Sequence, residues 1–325
     1  MKEFTSSKSK NLNISTNVTK TWITKKWFQI VKNRWTYLFL LPGILALIIF
    51  SYWPMHGLVL AFKDYKINLG ILDSPWADPL LKHFLTIKDD PQFWNAFINT
   101  FRMGFWYIVT GFPAPIILAI LINELKGKKF KKVLQTIYTF PNFLSWVIVG
   151  GLMVNLFSSE GLVNIVIRMF GGNTYDFLAN NELIRPLLYI TNVWKGAGWA
   201  AIIYLAAIAG INTELYEAAE VDGANRFQKI RYITWPGIKA TAVILLILDF
   251  GGIMNNGFDQ ILNMTNPVVE SAVEVMDTYI YRRTFLRAPD YGFSTAMGLM
   301  KSVINFIFLI TANKIAKLMG EGGIM

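Results

Sequence analysis

Apolar residues gather in six runs along the chain, separated by polar stretches of unequal length. The first covers 37–55 (YLFLLPGILALIIFSYWPM), and the others lie at 95–123, 133–157, 185–210, 237–258 and 291–313. Crossing a hydrocarbon layer takes roughly 20 apolar residues as a helix, and each run approaches or exceeds that length. The pattern predicts an all-α integral membrane protein with six transmembrane helices. Pro113 and Pro115 in the second run and Pro141 in the third predict kinks, because each removes an amide from the helical ladder. The fourth run is dense in glycine and alanine. Gly196/Ala200 and Ala206/Gly210 lie four apart, a spacing that admits close helix approach, so this helix is expected inside the bundle.

The flanks refine the picture. Residues 1–20 are polar and read as a flexible tail. Within 21–35, Ile23, Trp27, Ile30, Val31 and Trp35 recur at helical spacing among Lys25, Lys26, Lys32 and Arg34, which predicts an amphipathic helix on an anionic membrane surface. The long polar tail before the first run, with no small-residue cleavage site after it, argues that this run stays as a transmembrane helix. Lysine and arginine number 19 in the N-terminal tail and alternate loops, against 9 in the intervening ones, which places both termini in the cytosol. In the last outer loop Val269, Val273, Met276 and Ile280 stand at helical spacing and suggest another interfacial helix. The expected organisation is a tail with interfacial helix (1–35), the first transmembrane helix and an outer loop (36–94), a transmembrane core (95–315) and a cytosolic C-terminal tail (316–325).

Composition narrows the function classes. The chain has 325 residues, 54% apolar and 16% charged, which argues against disorder and most soluble enzymes. It has no cysteine, so thiolate chemistry, disulfides and cysteine-ligated metals are excluded. His56 and His83 are far apart and in no ligand spacing, so no metal site is expected. The net charge of +10 could suggest nucleic acid, but basic flanks beside membrane helices account for it and no nucleic-acid partner is expected. The sequence carries no G-x-x-x-x-G-K-[ST] phosphate loop.

Charges within spans are costly and are functional candidates. Four lie away from the ends of the runs: Arg102, Lys195, Asp249 and Lys301. Asp249 and Lys301 lie midway along the fifth and sixth runs. One reading is an ion pair locking those helices together; the other is direct contact with a transported substrate. Arg102 and Lys195 lie nearer the outer ends, where snorkelling is the plainer explanation. Asn192, Trp194, Lys195 and Trp199 occupy the outer half of the fourth run, while Asn255, Asn256, Asp259 and Gln260 cluster at the outer end of the fifth. Amides and carboxylates suit sugar hydroxyls and aromatic faces suit the C–H faces of a sugar ring. Interhelical hydrogen bonding is the competing reading.

The fourth and fifth runs are joined by INTELYEAAEVDGANRFQKIRYITWPGIK, residues 211–239. Its pattern predicts a helix over 213–221, a bend at Gly223 and a second helix leading to Pro236 in the first turn of the next span. Glu217-Ala218-Ala219, three residues, Gly223, nine residues, then Ile233-x-Trp235-Pro236 resembles the EAA loop of bacterial ATP-binding-cassette importer permeases, with Trp235 where that pattern has leucine. The segments FWNAFINTF, FDQILNMTNP and DTYIYR resemble the carbohydrate-importer subgroup of LplB-type permeases.

The resemblance implies a type I ABC importer permease bundle with a cytosolic EAA coupling loop, in a bacterial plasma membrane. Its coupling residues would be Glu217, Ala218, Ala219, Asp222, Gly223, Ala224 and Pro236. Its substrate pathway would draw on Asn192, Lys195, Trp199, Asp249, Asn255, Asn256 and Lys301. Its partners would be a second homologous permease, an ATPase dimer that binds ATP and Mg, an extracellular solute-binding protein, a carbohydrate and membrane lipid. This chain would hold no cofactor and catalyse no reaction itself. The alternative is an ion-coupled secondary carrier with Asp249 as its coupling carboxylate; a purely structural scaffold would explain neither the loop nor the mid-span polar residues.

Overall fold

The computed structural model describes residues 32–255, 257–286 and 289–318. The expected tail over 1–20, nearly all of the interfacial helix over 21–35 and most of the C-terminal tail lie outside them. The chain divides into two units, 1–59 and 60–325. In the first, helix α1 (Arg34–Leu47) is apolar on every side and none of its residues is buried. A helix apolar all round is suited to lipid.

The second unit is helical, and among its described residues the extended structure amounts to isolated bridges, Lys63–Trp76 and Lys66–Gly70. Its main helices are α2 (Pro91–Gly111), α3 (Pro113–Glu124), α4 (Lys128–Thr139), α5 (Trp146–Phe157), α6 (Ile184–Ala209), α7 (Thr213–Val221), α8 (Trp235–Gly251), α9 (Phe258–Met264) and α10 (Tyr291–Leu318). Among the described residues, five helical stretches are long and apolar enough to cross a membrane: Arg34–Phe62, Pro91–Glu124, Trp146–Met169, Arg226–Gly251 and Tyr291–Leu318. A sixth candidate is α6 with α7, bent by 71° between them. The 26 residues of α6 extend about 39 Å at 1.5 Å each, enough to cross alone. The bend therefore turns α7 out of the bundle.

Several expectations need correction. The third run is not one helix over 133–157. A 3-10 turn at Phe140–Phe143, built around Pro141, separates α4 from α5, and Ser145 caps α5 by accepting from the Ile148 amide at 3.3 Å. The fifth run stops at Gly251, short of 258. Pro236 stands in the first turn of α8 as expected, but the chain does not break before it: a π-helical stretch at Ile230–Thr234 runs straight into α8, so that Arg226–Gly251 is helical throughout. The alanine–glycine pairs four apart are not the sites of closest approach. Ala206 and Gly210 are exposed. The crossing is at Gly198 instead, where a Cβ would collide with the Tyr138 carbonyl oxygen of α4, with buried Ala201 one turn on.

Val269, Val273 and Met276 are fully buried, not interfacial. They lie on or beside two short helices, Glu270–Val273 and Met276–Tyr281, that fold into the bundle. Val269 and Val273 join a core with Leu188 and Ile261, while Met276 and Tyr279 join one with Phe93 and Phe293. Helical spacing of apolar residues serves a protein core as well as a membrane surface, and here the core takes them. A third core, Ile116, Ala119, Ala201, Tyr204, Ile208, Ile238 and Ala242, binds α3, α6 and α8 together.

Candidate functional site

The small residues of α6 leave room beside it. A cavity of about 340 Å³ lies between α2, α3, α6 and α8, and its lining includes Tyr107, Asn192, Gly196, Ala200, Tyr204 and Asp249. The rest of the wall is mainly apolar, so the amide of Asn192, the carboxylate of Asp249 and the phenol of Tyr204 are the polar groups available to orient a guest. Asp249 is exposed, and no ion pair reaches it among the described residues. An unpaired carboxylate midway along an apolar helix is not compatible with lipid, so this face of α8 borders water, a guest or another chain.

The expected Asp249–Lys301 pair does not form. The ammonium of Lys301 pairs with Asp277, on the short Met276–Tyr281 helix. The register of α8 against α10 explains this. The Met254 amide donates to Asn305 at 3.2 Å, and a Cβ at Gly251 would touch Leu309. Residue 249 therefore faces the stretch near 311, about ten residues or roughly 15 Å of helix from Lys301. Depth read from the sequence ignored this offset. Lys301 thereby leaves the set of cavity residues and becomes a brace for the segment over 258–286.

Asn255 likewise lies outside the cavity lining. Its side-chain oxygen accepts from Asn305 Nδ2 at 3.1 Å, the interhelical bond that was the competing reading. Asn256 lies outside the described residues. Gln260 is buried in a closed network: it accepts from the Tyr107 hydroxyl at 2.8 Å and donates to the Leu188 carbonyl at 2.7 Å and to Thr191 Oγ1 at 2.8 Å.

Lys195 finds its partners within the chain. Its ammonium donates to the Asn142 carbonyl at 3.0 Å and lies 5.3 Å from the centre of the Trp146 ring. It lines a second, smaller cavity of about 310 Å³ with Ser145, Trp146, Asp259 and Asn263. Trp199 stacks edge-on against Phe143 at 5.8 Å. The Asn142–Trp146 break between α4 and α5 thus supplies partners that the sequence reading of the third run, as one helix, could not anticipate. Asp277, Tyr204 and Ser145 were also missed. Tyr204 sits on the small-residue helix and could have been found from that helix alone; Asp277 carried no periodic signal.

At the far end of α6 the chain builds the exposed hairpin. Asn212 caps α7 by accepting from the Glu214 amide at 3.0 Å. Gly223 reverses the chain with φ +76, where a side chain would be strained. Asn225 and Gln228 then form a reciprocal capping box that starts the return helix. Tyr216 and Thr234 hydroxyls meet at 2.9 Å and Lys229 lies 3.6 Å from Glu220, holding the two arms together. Glu217, Ala218, Asp222 and Gly223 are exposed, and Ala219 and Ala224 half-buried. Val221 and Phe227 are 89% and 74% exposed beside them, an apolar surface that no other described residue covers.

Comparison with known proteins gives a consistent picture. A family model described as binding-protein-dependent transport system inner membrane component matches residues 111–320. The polygalacturonan/rhamnogalacturonan transport system permease protein YteP of Bacillus subtilis (strain 168) is 40% identical, over 91% of this chain and 92% of its own. Protein LplB of the same organism is 38% identical, over 92% of this chain and 93% of its own. A chain from the crystal structure of a bacterial alginate ABC transporter, in complex with alginate pentasaccharide-bound periplasmic protein, superposes with a TM-score of 0.83 at 37% identity, covering 92% of this chain and 99% of that one.

Proposed function

Since this chain belongs to the inner membrane components of binding-protein-dependent transport systems, we propose that it is the permease through which an oligosaccharide crosses a bacterial plasma membrane. It is a transport subunit of an ABC importer and not an enzyme. Membership implies a partner permease, an ATPase and a solute-binding protein. We take the partner permease to be a different chain, the ATPase to be a dimer that alone binds ATP and Mg, and residues 95–315 to be the transport core. Both termini lie in the cytosol, on the side of the 211–237 loop and the basic 126–132 segment.

The carrying observation is the hairpin itself: a capped helix turned 71° from α6, with exposed apolar and acidic side chains and no covering partner among the described residues on its Val221–Phe227 surface. In this reading α7 is the coupling helix. Ala218 admits close approach of the ATPase, Glu217 meets one of its basic groups, and Asp222, Gly223 and Ala224 set the turn. The Arg226–Gly251 helix, with Pro236 and its π stretch, carries the motion to Asp249. Closure of the ATPase dimer then rocks α6 and α8 together and opens the cavity to alternate sides.

The sugar passes along Asn192, Asp249 and Tyr204, with Lys195 and Trp199 at the α4–α5 break. The similarity to permeases named for polygalacturonan and rhamnogalacturonan, and to an alginate transporter, supports a carbohydrate cargo. An ion-coupled carrier is not favoured, because a self-sufficient carrier has no use for an ATPase dock. The deciding experiment is affinity purification of the tagged chain from detergent, followed by an ATPase assay with candidate oligosaccharides and the binding protein. Co-purification of an ATPase that one loaded binding protein stimulates supports the reading. A chain that purifies alone and transports under an ion gradient overturns it.

A further inference from the structure

Helix α4 has the sequence KKFKKVLQTIYT, and none of its residues is buried. Successive residues on a helix turn by about 100°, which puts Lys128, Lys129 and Lys132 on one side and Phe130, Val133 and Ile137 on the side adjoining it. Those three apolar side chains are 54%, 55% and 58% exposed. Lys131 is engaged by the Asn123 carbonyl at the end of α3. No ion pair reaches Lys128, Lys129 or Lys132 among the described residues, and the first turn of α4 holds no acidic side chain. Lys126 adds a further positive charge just before the helix.

A groove of about 460 Å³ runs along the border between the two sides, lined by Lys129, Lys132, Val133, Thr136 and Ile137. Its walls are apolar almost throughout, with the stems of Lys129 and Lys132 at one end and Val133 and Ile137 at the other. We propose that this groove is a binding site for an anionic phospholipid of the cytosolic leaflet, with the phosphate between Lys129 and Lys132 and an acyl chain along Val133 and Ile137. The inference rests on the membrane orientation given under Proposed function. Thr136 donates its hydroxyl to the Lys132 carbonyl at 2.9 Å, so among the lining side chains Lys129 and Lys132 are the donors left for a phosphate. A free phosphate would use only the charged end, and an acidic peptide would leave the apolar end bare. A lipid matches both, because the helix descends from its lysines into the Phe140–Phe143 turn and the membrane-crossing α5.

The test compares the intact importer complex with two double variants of equal charge, Lys129→Gln/Lys132→Gln and Lys314→Gln/Lys317→Gln. Binding of a short-chain phosphatidylglycerol is measured in neutral detergent, with phosphatidylcholine and inorganic phosphate as comparison ligands. The α4 variant is expected to bind phosphatidylglycerol about fivefold more weakly per lysine removed, while the α10 variant stays near the parent. Equal weakening in both variants reduces the effect to bulk charge and overturns the site. Full competition by inorganic phosphate overturns the lipid as occupant. Loss of the ATPase or partner permease from the α4 variant, with lipid binding unchanged, makes this face a protein interface and also overturns it. An α4 variant that binds like the parent ends the proposal outright. A complex that fails to couple transport to ATP while still discriminating the lipids would count against the importer reading and leave the site standing.

Discussion

The two ends of the helical unit are finished in different ways. Around residues 258–286, charges are matched within the chain. Lys301 meets Asp277, Arg282 meets Glu270 and lies 3.5 Å from Glu274, and Arg185 donates to the Ala272 carbonyl at 2.7 and 3.0 Å. The apolar residues between them, Val269, Val273 and Met276, are sealed in cores. At the 211–229 hairpin the backbone is just as carefully capped, yet Glu217, Val221 and Phe227 are left facing outward. One end is closed by its own side chains. The other is shaped in advance, and in the proposed role the ATPase covers it, which would keep the ordering cost of docking low.

The largest test of this contrast removes a brace from the closed end. Asp277→Ala leaves Lys301 partly buried without its partner and should cost on the order of 3 kcal/mol, read as a lower unfolding midpoint in detergent. The exchange Asp277→Lys/Lys301→Asp should recover part of that loss, whereas Asp249→Lys/Lys301→Asp should recover none. Equal behaviour of the two exchanges would dissolve the assignment of the pair.

The open end should respond in the opposite sense, through function and not stability. Gly223→Pro forces φ near −65° where the hairpin needs +76, so uptake should vanish while the chain still inserts in the membrane. Glu217→Lys should weaken retention of the ATPase by about 2 kcal/mol if the side chain meets a basic group. Phe227→Ser removes an exposed apolar contact and should weaken retention by about 1 kcal/mol, leaving the unfolding midpoint unchanged. Undiminished uptake by both Gly223→Pro and Glu217→Lys would remove the hairpin from the coupling path.

Much of this was legible in the sequence, and the misses share a cause. Six apolar runs, the helix over 213–221 and the bend at Gly223 follow from local pattern and turn chemistry, which the chain carries residue by residue. The Asp249–Lys301 pair failed because partner choice depends on helix register, fixed here by the Met254–Asn305 and Gly251–Leu309 contacts far from either charge. The segment over 269–280 was misread as interfacial because a buried stripe and a lipid-facing stripe have the same period. The α4–α5 break at Pro141 was foreseen as a kink, but not that it would present the Asn142 carbonyl and Trp146 ring to Lys195.

The smallest expected change in stability tests the cavity that the proposed function sets between the two ends. Asp249 braces nothing among the described residues, so Asp249→Asn should leave stability within about 0.5 kcal/mol of the parent, unlike Asp277→Ala. If its carboxylate holds a sugar hydroxyl during passage, losing one charge-assisted bond of about 1.5 kcal/mol should slow uptake roughly tenfold at saturating loaded binding protein. The ATPase should still dock and still respond to the binding protein, since the hairpin is untouched. Uptake by parent and variant should be indifferent to a collapsed ion gradient. A variant that has lost only its gradient dependence would make Asp249 a coupling carboxylate, and the hairpin would then need another explanation.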